Sequence, residues 1–385
     1  LLTIFRLDER AKAFFTVTML SVILTIPTTL VLVVGFDLGA EGLLLGSYAT
    51  GAVIVCGLIV YHRKRLSLVP DVPLLRRMMR FGLPTMPAEL SLYSLSFIDR
   101  IIIARSLGLA EAGLYSLAIK VAQSVNVLVR GFQLAFPPLA YSIRDDDEAA
   151  RAYSAVVTWF VVIMSFVITG IWLTAPWIIR IFAAPEYFGA VDAVGPVAAG
   201  TALYALYMVL LVVLGRTGRT EFNFPATLAG VGSNIGLNLL LVPVWGIVGA
   251  AVSLVASYMV VLVLMYAFTQ RLFPVPYEWG RLLKVIGSTA VLIAIGEVFV
   301  PDDGIAWLAV RLLLIAALPV ALHITGFFSP EEQRYVKMIA RPKELARKIQ
   351  EARAQEKADT EHEGDRAQGL AEVYEVEQMN EDMRN

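Results

Sequence analysis

The chain has 385 residues, 57% of them hydrophobic and only 17% charged, with a mean hydropathy of +0.68. That balance excludes an ordinary water-soluble globule, which needs more charge on its surface. The net charge of −1 averages a basic set of loops with an acidic tail and excludes nothing by itself. Cys56 is the single cysteine, so no internal disulfide or thiol-rich metal site can form, and it is expected as a small packed residue. His62, His323 and His362 are far apart, and no HExxH, CxxC, P-loop or GxSxG pattern occurs. No enzyme chemistry, metal, cofactor or nucleic-acid partner is expected.

Apolar stretches recur along the whole chain. They fall near 13–34, 42–61, 81–106, 111–135, 152–174, 189–214, 220–243, 247–268, 282–300 and 305–326. Most match the ~20 helical residues that a hydrocarbon core requires. The fold class expected is therefore all-α, a polytopic membrane protein of about ten transmembrane helices. The chain opens Leu-Leu-Thr-Ile-Phe without a methionine and is expected to start inside a larger protein; charged residues 6–12 precede a run too long for a signal core, so no signal peptide is expected. Lys and Arg cluster in alternate gaps: Arg6, Arg10 and Lys12; Arg63, Lys64, Arg65, Arg76, Arg77 and Arg80; Arg144 and Arg151; Arg216 and Arg219; Arg271, Arg281 and Lys284. The opposite gaps hold Arg180 alone. Positive loops stay in the cytoplasm, so a multi-pass cell-membrane protein with both termini cytoplasmic is expected.

Residues 63–80 are too polar to span. Leu74, Leu75, Met78 and Met79 lie opposite Arg76, Arg77 and Arg80 at helical spacing. Either a short amphipathic helix on the cytoplasmic face or an ordinary basic loop fits this pattern. Gaps 35–41, 107–110 and 244–246 are short enough to make their flanking helices antiparallel neighbours. Residues 175–188 are aromatic and amphipathic, which suits the outer interface. From Ser329 onward a basic stretch gives way to an acidic one, which reads as a charged, largely disordered cytoplasmic tail over 329–385.

Charge inside the spans concentrates in the third and fourth. The third holds Glu89, Asp99, Arg100 and Arg105; the fourth holds Glu111, Lys120 and Arg130. Charged residues at membrane depth usually face a cavity. On the fourth span Ser116, Lys120, Gln123, Asn126, Arg130 and Gln133 form one helical stripe; on the third Glu89, Tyr93, Ser96 and Arg100 do the same. In an antiparallel pair, residues with equal index sums lie level. Asp99 matches Lys120 and Glu89 matches Arg130, so ion pairs are expected at those depths. A structural set of pairs and a hydrated cationic cavity both fit. Pro84 and Pro87 near the start of the third span suit a hinge or a tolerated membrane proline equally. Asp192, Glu297 and Arg311, near span ends, are expected to reach the interface.

These residues resemble the polysaccharide-export and O-antigen-flippase branch of the multidrug/oligosaccharidyl-lipid/polysaccharide exporter superfamily. The strings that carry the resemblance are Phe81-Gly-Leu-Pro-Thr, Phe97-Ile-Asp-Arg-Ile-Ile-Ile, Ala112-Gly-Leu-Tyr-Ser-Leu-Ala-Ile-Lys120, Phe136-Pro-Pro-Leu and Pro243-Val-Trp-Gly-Ile-Val-Gly-Ala-Ala251. The resemblance implies two six-helix lobes, often with two extra helices, around a cavity that alternates access. It places 1–62 as the last two helices of a first lobe and 63–80 as a linker. It makes 81–270 a six-helix second lobe and 271–328 an additional pair, with the first four helices lacking. The function it implies is flipping of a lipid-linked oligosaccharide, a polyprenyl-pyrophosphate sugar, for surface polysaccharide biosynthesis. Arg100, Lys120 and Arg130 would attract the pyrophosphate, Glu89 and Asp99 would restrain those cations, and Gln123 and Asn126 would touch sugars. Membrane lipids and glycosyltransferases or a polymerase are the other partners it implies. A cation-coupled multidrug antiporter and a non-transporting scaffold for glycan assembly are the competing readings.

The charge pattern generates a topology prediction. In a Cys56→Ser background, single cysteines at Pro185 and Asp302 react with an impermeant thiol reagent from outside, and those at Ser67, Asp146 and Thr217 do not. Outside labelling of the second group reverses the orientation.

Overall fold

The computed structural model describes residues 2–7, 10–63, 71–83, 86–329 and 332–333. Regular structure among these residues is helical throughout. The chain divides into two compact units, Leu1–Leu83 and Pro84–Asn385.

The first unit holds α1 (Leu2–Leu7), α2 (Ala11–Leu30), α3 (Gly39–His62) and α4 (Val72–Gly82). A π turn over Val31–Gly35 ends α2 four residues after Pro27, whose ring removes a helix donor. α2 and α3 then form a close hairpin. A Cβ at Gly46 would stand 2.8 Å from the Thr29 Cα, so only glycine fits there. Cys56 is exposed rather than packed, because α3 carries it outside the face set against α2. The polar linker does contain a helix. Asp71 starts α4 by accepting a 3.0 Å hydrogen bond from the Leu74 N–H, and Pro73 sits in the first turn, where no helix donor is needed. Leu74, Leu75, Met78 and Met79 are each more than half exposed. An uncovered apolar stripe on a basic helix suits the membrane interface.

The second unit holds α5 (Met86–Ser106), α6 (Leu109–Ala122), α7 (Asn126–Ser142), α8 (Asp146–Phe182), α9 (Val191–Arg216), α10 (Asn223–Leu272), α11 (Trp279–Phe299), α12 (Ile305–Ala316) and α13 (Leu318–Ile324). Among the described residues, eight segments of the chain are long and apolar enough to cross a membrane. The protein is thus a multi-pass, all-α membrane protein. Two features separate this count from the ten apolar stretches of the sequence. The charged residues of α5 keep it out of the apolar set, although α5 packs directly on α10. α10 reads as one segment but turns at Gly246, where φ is +60°. Gly249 then packs on the backbone of Leu241 and Gly230 on Val261. Those pairs have nearly equal index sums, which is the signature of two antiparallel legs.

The span expected over 111–135 is interrupted. A 3-10 turn over Gln123–Val125 separates α6 from α7. α8 runs on through Pro176 to Phe182, so residues 175–182 continue a helix instead of forming a separate interfacial segment. Pro319 breaks the last span into α12 and α13. The expected tail lies outside the described residues, apart from Ser329, Glu332 and Gln333.

Three arginines tie helix ends together. Arg216 donates to the Ala140 and Ile143 carbonyls at 3.2 and 2.8 Å and to Asp146 at 2.8 Å, joining the ends of α7, α8 and α9. Arg311 does not reach the interface as expected. It is 2% exposed and donates to the Leu173 and Val300 carbonyls at 3.1 and 2.8 Å, with Glu297 at 3.4 Å. Buried guanidinium groups need several acceptors, and these two carbonyls and Glu297 meet the terminal nitrogens of Arg311. Arg281 lies over the Phe327 ring and donates to Glu278 at 3.0 Å and to Glu332 at 2.8 Å. Glu332 and Ser329 also cap each other reciprocally, at 2.8 and 3.2 Å. Burial raises the Glu332 pKa, but the Ser329 N–H and Arg281 outweigh it and hold the carboxyl below its ordinary value. The stabilisation it contributes is therefore present above that ordinary value and lost as pH falls through the lowered one.

The hairpin glycines can be tested by thermal unfolding in detergent. Gly249→Ala, which forces a Cβ onto backbone, lowers the melting temperature, and Gly246→Ala costs about 1 kcal/mol for its left-handed φ. Gly236→Ala, which meets nothing within 4 Å, leaves it unchanged or raises it.

Candidate functional site

The charged third stretch becomes α5, and its central residue is Asp99. At 1% exposure its carboxyl is sealed in the core of the second unit. The Tyr115 hydroxyl on α6 donates to Oδ2 at 2.8 Å, and the Asn238 amide on α10 donates to Oδ1 at 2.8 Å. Asn238 also donates to the Asn234 carbonyl at 2.9 Å. One carboxyl thereby links three helices through two sequence-distant donors.

This arrangement corrects the expected pairing. Asp99 and Lys120 form no ion pair: Lys120 is exposed, while Asp99 points to Tyr115 and α10. An index sum fixes depth along a hairpin but not azimuth, and these two side chains leave their helices on different faces. Arg130, the expected partner of Glu89, is also exposed. The Glu89 side chain and Pro84 lie outside the described residues. Pro87 lies next to Met86, the first described residue of α5.

Beside the Asp99 cluster lies a pocket of about 310 Å³. Arg100 lines it from α5, Gln123 from the turn between α6 and α7, Asn126 from the start of α7, Thr201 and Tyr204 from α9, and Tyr258 from α10. The 3-10 turn sets Gln123 and Asn126 on one wall. Arg100 lies over the Phe97 ring at 5.9 Å, and its Nε is buried without a hydrogen-bond partner among the described residues. The structure thus brings Arg100, Gln123, Asn126 and Asp99 together, and leaves Lys120 and Arg130 outside the lining. Tyr204 and Tyr258 were not singled out by the sequence pattern. They sit within long apolar runs and read there as core. Their hydroxyl groups were the available signal, since a tyrosine at membrane depth needs a polar neighbour.

Two apolar cavities of about 590 and 250 Å³ lie between α8, α9, α10 and α11 and share Val161, Leu203, Leu206, Met259 and Ile286. Together they make one groove from Glu297, near one end of α11, to Trp279 at the other. Thr201 and Tyr204 face the polar pocket, whereas Ala202, Leu203 and Leu206 on the same helix face the groove. No group of three or more His, Cys, Asp or Glu suited to a metal occurs among the described residues. Asp99, Asn234 and Asn238 do bring oxygen donors together, a type that hard cations accept.

The bundle thus presents a polar pocket on one side of a helix layer and an apolar groove on the other. Residues 2–192, just under half of the chain, match the model of a family described as "Polysaccharide biosynthesis protein". The fold is similar to that of the lipid II flippase MurJ in an inward closed conformation, with a TM-score of 0.58 and 14% identity. The match covers 80% of this chain and 65% of that one, so the chain spans just under two thirds of the flippase it resembles. At that identity the likeness is one of fold. Comparison with curated proteins gave no sequence match.

The Asp99 cluster generates a stability prediction. Asp99→Asn and Tyr115→Phe lose less together than the sum of their separate losses, because each alone strands a buried partner. Asp99→Asn and Lys120→Met are additive within about 0.5 kcal/mol. Melting of the single and double variants in detergent checks both; coupling to Lys120 contradicts the assigned geometry.

Proposed function

We propose that the protein moves a lipid-linked oligosaccharide across the cytoplasmic membrane for surface polysaccharide biosynthesis. The observation that carries this reading is the polar pocket of Arg100, Gln123 and Asn126 set inside an apolar helical bundle. A cavity of this kind offers hydrogen bonds to a polar head group at a depth where water cannot. The groove along α11 suits an isoprenoid chain, since its lining is almost wholly apolar. The family-model match over residues 2–192 and the flippase-like fold support the same reading.

In this proposal Arg100 and the exposed Lys120 and Arg130 draw the pyrophosphate toward the α5–α6–α7 face. Arginine bonds phosphate oxygens in pairs, and lysine adds a point charge. Gln123 and Asn126 contact sugar hydroxyls. Asp99 serves by fixing α5 against α6 and α10, which holds Arg100 in place. Both termini lie in the cytoplasm, from the charge asymmetry of the loops. Glycosyltransferases or a polymerase act beside it as partners.

Glycan export tests the reading. In a strain lacking its own flippase, Arg100→Gln, Lys120→Gln and Arg130→Gln each lower surface glycan at matched protein level. Affinity of purified protein for polyprenyl pyrophosphate falls about tenfold or more when Arg100 is replaced, as expected for charge-assisted bonds. Asp192→Asn, exposed and outside the pocket lining, behaves as wild type. Normal export by the triple Gln variant contradicts the cationic mechanism, and export of a cationic dye in place of glycan favours an antiporter.

A further inference from the structure

Among the described residues the pocket lining contains one guanidinium, Arg100, and one carboxyl, Asp99, which balance in formal charge. Both oxygens of Asp99 already accept hydrogen bonds from protein. The remaining polar groups are neutral: two amides, Gln123 and Asn126, and the hydroxyls of Thr201 and the lining tyrosines. Lys120 and Arg130, which suit a phosphate, are elsewhere. A site for a doubly charged anion alone would concentrate bases. This one concentrates amides, hydroxyls and aromatic rings.

The aromatic part has definite geometry. Tyr204 and Tyr258 place their ring centroids 5.6 Å apart at 54°, forming a corner rather than a flat stack. Aromatic faces carry partial negative charge and attract weakly positive C–H groups. Thr201 Oγ donates to the Val197 carbonyl at 2.9 Å, which leaves its lone pairs able to accept. Arg100 Nε, buried and unpartnered among the described residues, is a donor in want of an acceptor. A sugar ring has the matching amphiphilic form, with C–H faces for the aromatic corner and hydroxyl edges for the amides. At about 310 Å³ the pocket lies at the small end of ligand sites, enough for a single ring and not for a whole oligosaccharide or an isoprenoid chain.

We infer that this pocket is a saccharide subsite, in which Tyr204 and Tyr258 seat the face of one neutral sugar ring while Gln123, Asn126 and Thr201 bond its hydroxyls. The inference rests on the lipid-linked-sugar reading and deepens it. It makes Tyr204, Tyr258 and Thr201 specificity-determining residues and sets the phosphate at the edge of the pocket, where Arg100 and the exposed bases attract it.

The test uses the full chain in lipid nanodiscs with three probes. These are a polyprenyl pyrophosphate bearing one hexose (glucose, galactose and N-acetylglucosamine in turn), the same lipid without sugar, and the matching methyl hexoside alone. Wild type binds at least one sugar-bearing lipid about tenfold more tightly than the bare lipid. Tyr204→Leu and Gln123→Leu bring that ratio to about one and leave bare-lipid affinity within about twofold. Thr201→Val reduces the ratio without removing it. Gln123 is exposed, so its variant keeps the test valid should Tyr204→Leu fail to fold. A ratio unchanged in the Gln123 and Thr201 variants overturns the subsite, as does equal binding of bare and sugar-bearing lipid by wild type; either result leaves the flippase reading standing. Binding of a methyl hexoside that is lost in Gln123→Leu, with neither lipid bound, upholds the subsite and overturns the lipid-linked reading. Binding of no probe overturns both.

Discussion

A carboxyl group sealed among membrane helices must find hydrogen-bond donors from the protein, and Asp99 finds them on α6 and α10. Water cannot supply them at that depth, and a stranded acceptor costs about 1–3 kcal/mol or more. The Tyr115 hydroxyl and the Asn238 amide therefore fix where α5 can sit. Once α5 is fixed, Arg100 on the next position is directed into the pocket, and the α6–α7 turn brings Gln123 and Asn126 to the same wall. The polar pocket is thus a by-product of satisfying one buried acid. The same constraint governs the bundle's ends, where Arg216, Arg281 and Arg311 engage carbonyls and carboxylates at or beyond helix termini, among them the Val300 carbonyl.

The layer formed by α9 and α10 separates two environments. One side carries tyrosines, a threonine and the amide wall; the other carries alanine, leucine, valine and methionine. An amphiphile with a polar head and an isoprenoid tail would meet a suitable surface for each part. Small residues such as Gly200, Ala198 and Ala250 let these helices approach closely, which keeps the layer thin.

Much of this was legible in the sequence, and the failures have a common cause. The spans were readable because each must bury a length of apolar helix, and the turn at Gly246 was readable because three residues leave room only for an antiparallel return. The amphipathic face of α4 followed from spacing alone. What spacing could not supply was azimuth. Asp99 and Lys120 share a depth, yet one enters the core and the other remains exposed. Nor does periodicity reveal the 3-10 turn at Gln123–Val125, since Gln, Ser and Val do not announce a change of helix type. Arg311 looked free to reach the interface because its acceptors, the Leu173 and Val300 carbonyls, are backbone atoms that no motif records. Tyr204 and Tyr258 were hidden by the apolar runs around them.

Photo-crosslinking in intact membranes tests most directly the claim that head group and tail are handled on opposite sides of the α9–α10 layer. A photoreactive side chain at position 123 should capture a lipid-linked oligosaccharide labelled in its sugar. One at position 259, in the groove, should capture the same molecule labelled in its isoprenoid chain, and one at the exposed position 181 should capture neither. Capture of the sugar label at 259 as strongly as at 123 would contradict the account.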